Sequence, residues 1–302
     1  MSVKIKNITK LYGKQKALDN LSFEVASGNV IGFLGPNGAG KSTMMKIIAC
    51  YLPQTSGSAE VEGYDVNENP VEVRRQVGYL PEHNPLYLDM YVKEYLHFVG
   101  GIYLNKELDN RVKQMIEITG LGAEQNKKIG ALSKGFRQRV GLAQAMIHNP
   151  KVLVMDEPTS GLDPNQLSEI RTLIKNIGKE KTVILSTHIM QEVEAICDRV
   201  IIINKGKIVA DDSTKILRQQ SADVNSVIIE FDKSPDINLL KAIPGVTSVI
   251  KIEGNRFRFT SVNDIRSQLF NFAVEQQFTV ITLQKEERSL EHIFQELTRS
   301  VN

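Results

Sequence analysis

A glycine-rich segment with a lysine and two hydroxyl groups has the residue types and spacing of a phosphate-binding loop. The stretch GPNGAGKST, residues 35–43, fits the pattern G-x-x-x-x-G-K-[ST] between a short apolar run and a helical pattern. Glycines allow backbone N–H groups to surround phosphates, Lys41 reaches the β- and γ-phosphates, and Ser42 can ligate Mg²⁺. A glycine turn before a structural helix is the alternative, which this context disfavours. The predicted phosphate-binding residues are Gly35, Pro36, Asn37, Gly38, Ala39, Gly40, Lys41, Ser42 and Thr43.

Two adjacent carboxylates follow a second apolar run, VLVMDEP, residues 152–158. Carboxylates at the end of a buried strand are costly unless a cation or strong donors pair with them. We expect Asp156 to hold Mg²⁺, directly or through water, and Glu157 to polarise the attacking water as general base. The alternative is a solvated strand end before a proline turn, which the upstream phosphate loop disfavours.

A histidine follows a third apolar run, in STH at residues 186–188. If this strand neighbours the one that ends at Asp156, His188 reaches the γ-phosphate. A histidine satisfied in the core or exposed at the surface is the equal alternative.

The stretch ALSKGFRQRVGLAQAM, residues 131–146, begins like a second anion-binding helix. Ser133 can cap it, and Gly135 allows close approach of a ligand to the backbone. Helix N-termini favour phosphate-like groups because of their free N–H groups and positive dipole end. The question is which anion this end meets, since the chain already has one phosphate loop.

The composition is that of an ordinary globular protein. The chain has 302 residues, of which 41% are hydrophobic and 24% charged, and its net charge of +2 gives no global attraction to nucleic acid. We expect about two or three domains from this length. No apolar run reaches the roughly 18 residues that span a bilayer, and the N-terminus lacks a secretory h-region. Cys50 and Cys197 have no metal-ligand spacing, so reduced, buried thiols and a soluble, cytoplasmic type of chain are expected.

The elements that would position these groups alternate between strands and helices. The expected strands lie within residues 1–34, 57–66, 71–82, 151–158, 182–188 and 198–209, and the expected helices within 41–52, 91–149, 165–178 and 190–197. Such βαβ alternation predicts a mostly parallel sheet with ligands at the carboxyl ends of its strands. A further β-α-β-β-α-β-α pattern after about residue 221, ending in a helix over 289–298, predicts a ferredoxin-like α+β sandwich.

Together these motifs resemble those of an ABC-type ATPase, the ATP-binding subunit of ATP-binding cassette transporters, over about residues 1–220. The resemblance implies an α/β P-loop NTPase core with a helical subdomain at about 88–150 and an accessory domain at 222–302. The matches are Tyr12 in the loop that stacks on adenine, residues 35–43 in Walker A, Glu82 in the Q-loop, residues 132–136 in the signature, Asp156 and Glu157 in Walker B, residues 160–163 in the D-loop, and His188 as the switch histidine.

The resemblance also implies which anion the second helix meets. In this family the signature of one subunit caps the γ-phosphate of ATP held by another, so Ser133, Lys134 and Gly135 would bind ATP in trans. The catalytic residues would be Glu157, His188 and Lys41, and the ligands of Mg²⁺ would be Ser42, Asp156 and Glu82. The implied partners are a second ATPase subunit and an integral-membrane permease on whose cytoplasmic side the chain sits, without direct contact to nucleic acid.

Two positions depart from the family pattern. The signature reads LSKGF where the pattern is LSGGQ, and Lys134 is tolerable there if its φ is negative and its side chain points outward. Glu82 stands where most members have glutamine. A carboxylate ligates Mg²⁺ as well as an amide oxygen does, but near Glu157 the like charges would raise carboxylate pKa values.

Narrower resemblances concern the transported cargo. Residues 222–302 resemble the tail domain of ABC-2-type exporters. The whole chain, including the stretch GYLPEHNPLYLDMYV at residues 78–92, is similar to the gliding-motility-associated ATP-binding subunit. The alternative is a soluble ABC-type ATPase that acts on the ribosome or on DNA. The single cassette, and the absence of heptads between the phosphate loop and the signature, disfavour it. A regulatory sensor role for residues 222–302 is compatible with the transporter reading.

Overall fold

The computed structural model describes residues 1–104, 106–214, 216, 225–286, 294 and 298. The chain divides into two units, with the boundary after Thr214. The helix expected over 289–298 lies outside the described residues apart from positions 294 and 298. Within the described part, each helix is too short or too polar to cross a lipid bilayer.

Strands and helices alternate through the first unit. Its strands are β1 (Val3–Tyr12), β2 (Gln15–Val25), β3 (Val30–Leu34), β4 (Ser56–Val61), β5 (Tyr64–Asp65), β6 (Val77–Leu80), β7 (Val152–Asp156), β8 (Thr182–Thr187), β9 (Arg199–Asn204) and β10 (Lys207–Ser213). Its helices are α1 (Lys41–Ile48), α2 (Pro70–Gln76), α3 (Val92–Tyr103), α4 (Leu108–Ile118), α5 (Lys134–Met146), α6 (Pro164–Gly178) and α7 (Met190–Ile196).

A six-stranded sheet forms the centre of this unit, in the order β10-β9-β3-β8-β7-β6. Strands β6, β7, β8, β3 and β9 are parallel, while β10 pairs antiparallel with β9. Strands β3, β7 and β8 are buried at every position, because the sheet is covered on both faces. Since they are parallel neighbours, the segments that follow Leu34, Asp156 and Thr187 all leave from the same edge of the sheet.

A second, antiparallel sheet in the order β2-β1-β4-β5 packs against the first across one apolar core. Helix α1 lies in this core and buries Met44, Met45, Ile47 and Ile48. The tight turn between β1 and β2 pairs Tyr12 with Gln15 and contains Gly13 at a φ of 58°. This turn fixes the tyrosine at the end of the hairpin.

Two segments expected to be extended fold differently. Residues 71–82 do not form one strand, because Pro70–Gln76 is helix α2 and Val77–Leu80 alone joins the sheet. Proline suits the first helical turn, and Val73 is the buried residue that docks the helix. Residues 198–209 are a hairpin whose turn holds Lys205 and Gly206 at φ values of 48° and 76°. Two consecutive residues at positive φ are typical of a type I′ hairpin turn.

Helices α3, α4 and α5 form the predicted helical region. Tyr95 Oη in α3 donates a hydrogen bond of 2.6 Å to Gln144 Oε1 in α5. Arg111 in α4 donates to the backbone oxygens of Met146 and Ile147 at the end of α5, at 2.6 and 2.8 Å. The last carbonyls of a helix lack partners within the helix, so this arginine both caps α5 and binds α4 to it.

The second unit has the predicted ferredoxin-like topology in its described part. It comprises β11 (Asn225–Phe231), α8 (Ile237–Lys241), β12 (Val246–Glu253), β13 (Arg256–Ser261), α9 (Arg266–Glu275) and β14 (Val280–Glu286). The strands pair antiparallel in the order β12-β13-β11-β14. The alternate residues Val227, Ile229, Phe257 and Phe259 turn one face of the sheet towards Leu240 and Leu269 of the helices, which gives this unit a core of its own.

The half-buried His148 makes the stability of the first unit sensitive to acid. Its Nε2–H donates to Val77 O at 3.1 Å, its ring stacks on Tyr103, and its Nδ1 is buried without a hydrogen-bond partner in the described part of the chain. Burial, aided by the cations of Arg111 and Lys181, lowers the pKa of His148 below its usual 6.5. Protonation of His148 therefore favours the unfolded chain. The stability that the folded chain has with a neutral His148 is lost as the pH falls below 6.5.

We expect His148→Gln to reduce this acid sensitivity. Between about pH 7.5 and pH 5.5, the free energy of unfolding of the parent should fall by more than that of the variant, because glutamine does not titrate. Denaturant unfolding at the two pH values measures the difference. Equal losses in the two proteins would contradict the role assigned to His148.

Candidate functional site

The segments that follow β3, β7 and β8 surround a cleft of about 650 Å³. The cleft is lined by Tyr12, Gln15, Ala17, Asn37, Gly38, Gly40, Lys41, Ser42, Thr43, Glu82, Glu157, Ser160 and His188. The structure thus brings together the predicted adenine-stacking tyrosine, most of the phosphate loop, the Q-loop glutamate, the general base and the histidine. Gly35, Pro36 and Ala39 belong to the same loop but do not line the cleft.

The phosphate loop depends on glycine at two positions where the backbone is crowded. A Cβ on Gly40 would lie 2.5 Å from Ala17 O, and one on Gly35 would lie 2.4 Å from Ile203 O. Gly40 also has a φ of 111°, which L side chains disfavour. Helix α1 starts at the next residue, so its free N–H groups and positive dipole end face the cleft.

Lys41 is buried at the bottom of the cleft. Its Nζ donates to Gly35 O at 2.7 Å and to Pro36 O at 3.3 Å. The same ammonium lies 3.6 Å from Glu157 Oε1. Because the loop carbonyls hold Nζ under the loop, the cation is fixed where the terminal phosphates of a nucleotide would lie.

Hydroxyl and carboxylate oxygens converge beside this lysine. Ser42 Oγ donates to Asp156 Oδ1 at 3.0 Å, and Ser186 Oγ donates to the same oxygen. Hard oxygen ligands of this kind suit Mg²⁺, which is bound by one or two protein groups together with substrate phosphates and water. Accordingly, the described residues contain no cluster of three His, Cys, Asp or Glu side chains that could hold a metal without substrate. Ser42 and Asp156 therefore fit the predicted metal site, and Glu82 lines the same cleft.

Glu157 has an unusual backbone and a buried side chain. Its φ of 49° is left-handed, a conformation that costs a non-glycine residue about 1 kcal/mol. The Glu157 N–H donates to both O and Oγ of Ser186, at 3.1 and 3.0 Å, which holds this conformation. The Nδ1–H of His188 donates to Glu157 Oε2 at 2.9 Å. Strain of this kind occurs at functional sites, and here it turns the carboxylate into the cleft between Lys41 and His188.

Tyr12 stands at the outer wall of the cleft, at the end of the β1–β2 hairpin. Its ring is about half exposed, and the ammonium of Lys10 lies 5.4 Å from the ring centroid. An exposed aromatic face beside a phosphate loop suits stacking of a nucleobase.

The signature residues lie outside this cleft, at the start of helix α5. Ser133 is the N-cap of α5, and its Oγ accepts from the Phe136 N–H at 3.4 Å. Lys134 is exposed and helical with a negative φ, as its tolerance requires, and its Nζ lies over Gly161 of the D-loop. Gly135 is buried against Gln166 of α6, where a Cβ would be 2.4 Å from Oε1. These three residues form a separate helix end that contributes nothing to the lining of the chain's own cleft.

Sequence reasoning did not assign a role to Ser186. Its hydroxyl and carbonyl join Asp156 to Glu157, yet in the motif STH only the histidine was singled out. The signal is present in the sequence as a hydroxyl two residues before His188. Its meaning depends on the pairing of Ser186 with Asp156 across β8 and β7.

A phosphate loop with a buried lysine, next to a parallel strand that ends in two carboxylates, defines a P-loop nucleotide hydrolase. Residues 18–160 match the family described as ABC transporter. The bacitracin transport ATP-binding protein BcrA of Bacillus licheniformis is 35% identical over 246 residues, which cover 78% of this chain and 80% of that protein. YxlF, an uncharacterized ABC transporter ATP-binding protein of Bacillus subtilis, is 32% identical over 294 residues, which cover 96% and 97%.

Solved structures of ABC transporter cassettes are similar to this chain. CbiO1 of Clostridium perfringens, part of the ABC transporter complex cbiONQ, aligns with a TM-score of 0.66 at 28% identity, covering 72% of this chain and 91% of that one. The dimeric cassette MJ0796 bound to ADP and Pi aligns with a TM-score of 0.64 at 28% identity, covering 70% and 98%. The chain belongs to the ABC transporter family as an ATP-binding, ATP-hydrolysing subunit that powers a separate membrane permease. The predicted α/β ABC-type P-loop fold is confirmed.

Gly38 and Gly40 of the phosphate loop should respond unequally to substitution, because a Cβ would be crowded at Gly40 alone of the two. Gly38→Ala and Gly40→Ala both place a side chain at positive φ, which costs about 1 kcal/mol. Gly40→Ala adds the clash with Ala17 O, which should cost a further ~1–3 kcal/mol, whereas nothing lies within 4 Å of a Cβ at Gly38. Denaturant unfolding of both variants measures the difference. Equal losses of stability would show that the loop relaxes away from Ala17.

Proposed function

We propose that ATP is hydrolysed in this cleft with Glu157 as the general base. The observation that carries this assignment is the continuous set of contacts from Lys41 through Glu157 to His188. One carboxylate oxygen lies 3.6 Å from Lys41 Nζ, and the other accepts from His188 Nδ1 at 2.9 Å. A water between this carboxylate and the γ-phosphate would pass its proton to Glu157 as its oxygen attacks phosphorus. The bond from phosphorus to the β–γ bridging oxygen would break, and ADP would leave.

The other groups of the cleft act on the charge of the phosphates. Phosphate oxygens of ATP compete with the carbonyls of Gly35 and Pro36 for the Lys41 ammonium, which then neutralises the phosphoryl group that is transferred. His188 donates from Nδ1 to Glu157, and an imidazole that also carries a proton on Nε2 would donate from there to an oxygen of the γ-phosphate. Tyr12 would stack on the adenine.

Mg²⁺ would be held by Ser42 and Asp156, with Glu82 contributing a third oxygen from the lining of the cleft. The ion would supply positive charge against the phosphate oxygens of ATP. Ser186 keeps Asp156 in place for this role through its hydrogen bond to Oδ1.

The proposed active unit is a pair of ATP-binding subunits in which Ser133, Lys134 and Gly135 of one chain bind the ATP of the other. Two features support this arrangement. The signature end is a capped helix start with an exposed cation, and it lies outside its own cleft. The similar cassette MJ0796 has been solved as a dimer. Residues 1–220 would act as the ATPase domain of each subunit.

A groove in the first unit is the proposed docking site of the permease. It has a volume of about 500 Å³ and lies between α1, α2, β6 and helices α3 and α5. Exposed aromatic side chains surround it, among them Tyr51 and Tyr103. Apolar, aromatic-rich surfaces of this kind are typical of protein interfaces. The similar protein CbiO1 is part of a transporter complex, and docking of this kind would hold the chain at the cytoplasmic face of the membrane.

An exporter is the proposed transporter type. Similar proteins are named for bacitracin transport in Bacillus licheniformis and for linearmycin resistance in Bacillus subtilis. A role in a gliding-motility system is a narrower proposal. It is supported by the resemblance of the chain, including residues 78–92, to the gliding-motility-associated ATP-binding subunit. The accessory domain, proposed to span 222–302, has its own core in its described part and would regulate hydrolysis.

Glu157→Gln should separate binding from hydrolysis. We expect ATP binding to be retained and the turnover rate to fall by about 100-fold or more, because the amide cannot accept the proton. Lys41→Ala, by contrast, should abolish ATP binding. Binding of a fluorescent ATP analogue and steady-state phosphate release measure the two effects. Hydrolysis by Glu157→Gln at the parent rate would exclude Glu157 as the base.

The proposed pairing predicts that Glu157→Gln is a dimer with ATP and a monomer without it. Adding Ser133→Arg should restore the monomer in the presence of ATP, because the bulky side chain would block the approach of the partner's ATP to the exposed helix end. ATP binding by this double variant should persist, since Ser133 lies outside its own cleft. Light scattering during size-exclusion chromatography measures the mass. An ATP-loaded Glu157→Gln that stays monomeric would contradict the pairing.

The docking groove predicts a difference between two sites on α3. Val99 lines the groove, whereas the exposed Ile102 on the same helix does not. Tagged full-length protein would be purified from solubilised membranes of its native cell. Val99→Glu should lose a co-purifying multi-span protein that Ile102→Glu retains. Retention of the membrane protein by both variants would place docking elsewhere, and ribosomal or DNA-associated partners alone would favour a soluble ABC-type ATPase.

A further inference from the structure

A fully buried carboxyl group lies one helical turn after His188. Glu192 is in the first turn of α7, and its side chain has no exposure to solvent. Its Oε2 accepts from Thr187 Oγ1 at 2.6 Å, while its Oε1 has no hydrogen-bond partner within the described part of the chain. Burial of an incompletely paired carboxyl group is costly, and an apolar side chain of similar size would avoid that cost. A glutamate here therefore calls for a role beyond packing.

The Thr187 hydroxyl connects this carboxyl group to the backbone on the other side of His188. The Ile189 N–H donates to Thr187 Oγ1 at 3.0 Å, and Ile189 is the N-cap residue of α7. In an ordinary capping box, a glutamate three residues after the N-cap would accept from that N–H directly. Here the threonine hydroxyl stands between the two groups, because it accepts from Ile189 and donates to Glu192.

This relay fixes the residues immediately before and after His188. Thr187 is the last residue of β8, where it pairs with Leu34 of β3. The His188 side chain is about half exposed, and it contacts the site through the 2.9 Å hydrogen bond to Glu157. Little packing holds such a ring, so its position depends on the backbone at 187–189.

We propose that Thr187 and Glu192 are positioning residues that set the His188 imidazole against Glu157. This inference rests on the roles proposed above for Glu157 and His188. Neither Thr187 nor Glu192 lines the cleft, so both act on the γ-phosphate end of the site through the backbone of His188. The relay leaves the phosphate loop untouched, and ATP binding is therefore independent of it.

Four variants of the full-length protein test the relay. Thr187→Val removes the hydroxyl at nearly constant shape, and Thr187→Ser keeps it. Glu192→Leu removes the acceptor, and Glu192→Gln keeps one. Thr187→Val removes two hydrogen bonds of the relay and Glu192→Leu removes one. We expect each to lower kcat by about tenfold or more. KM for ATP should change by less than about twofold, since ground-state binding is unaltered. Thr187→Ser and Glu192→Gln should recover most of kcat.

A second readout follows His188 without reference to turnover. The chain has five histidines, so the imidazole resonances of His188 in ¹⁵N-histidine-labelled protein are assigned by their loss in His188→Ala. Thr187→Val should shift these resonances, and Thr187→Ser should leave them near their parent positions. Thermal unfolding identifies any variant that fails to fold. If the Glu192 variants fail to fold, the comparison of Thr187→Ser with Thr187→Val still tests the relay.

The outcomes separate this inference from the proposed function. A folded Thr187→Val with parent kcat and unshifted His188 resonances would overturn the positioning role. The same loss of kcat in Thr187→Ser as in Thr187→Val would also overturn it, because the hydroxyl would then be irrelevant. If His188→Ala hydrolysed ATP at the parent rate, the role of His188 in the reaction would fail. The shift of its resonances would still decide whether the relay positions it.

Discussion

The buried contact between Lys41 and Glu157 is the interaction on which the rest of the site depends. Both side chains are more than nine-tenths buried, and their charged atoms lie 3.6 Å apart. A buried ammonium without partners would be very costly, and so would the carboxylate. The loop carbonyls that hold Lys41 and the Ser186 groups that hold Glu157 therefore have to meet at one place. The parallel strands β3, β8 and β7, whose carboxyl ends are aligned, bring them together.

The same arrangement explains where the backbone is unusual. Gly40 and Glu157 both have positive φ, one before the helix that carries Lys41 and the other directly after β7. Glycine adopts positive φ readily, whereas the conformation of Glu157 costs free energy that the buried sheet and its apolar neighbours must offset. As a result, the charged groups of Lys41 and Glu157 both point into the cleft. A rigid, fully buried set of strands is thus a requirement of the site and not only of the fold.

The sequence predicted those parts of the structure whose signals are local. Apolar runs that end in polar motifs identified β3, β7 and β8, and the spacing of the motifs identified the residues around the cleft. Helix α2 was missed because seven residues with a single buried side chain, Val73, leave almost no periodic signal. The roles of Ser186 and Thr187 were missed for a different reason. Their hydroxyls act across neighbouring strands and around a helix start, and sequence spacing does not reveal such contacts.

The signature residues lie at a helix start that the cleft of their own chain does not use. This helix start has a side-chain cap, a glycine packed against α6 and an exposed lysine, which are the features of an anion-binding end. The chain's own phosphate loop serves the phosphates of its own cleft. The signature takes no part in the lining of that cleft. The cationic signature end of one subunit complements the half-open phosphate site of another. In such a pair, each subunit would offer its signature to the other's cleft. In the proposed pair, two subunits would satisfy both ends at once, whereas one chain alone would leave both incomplete.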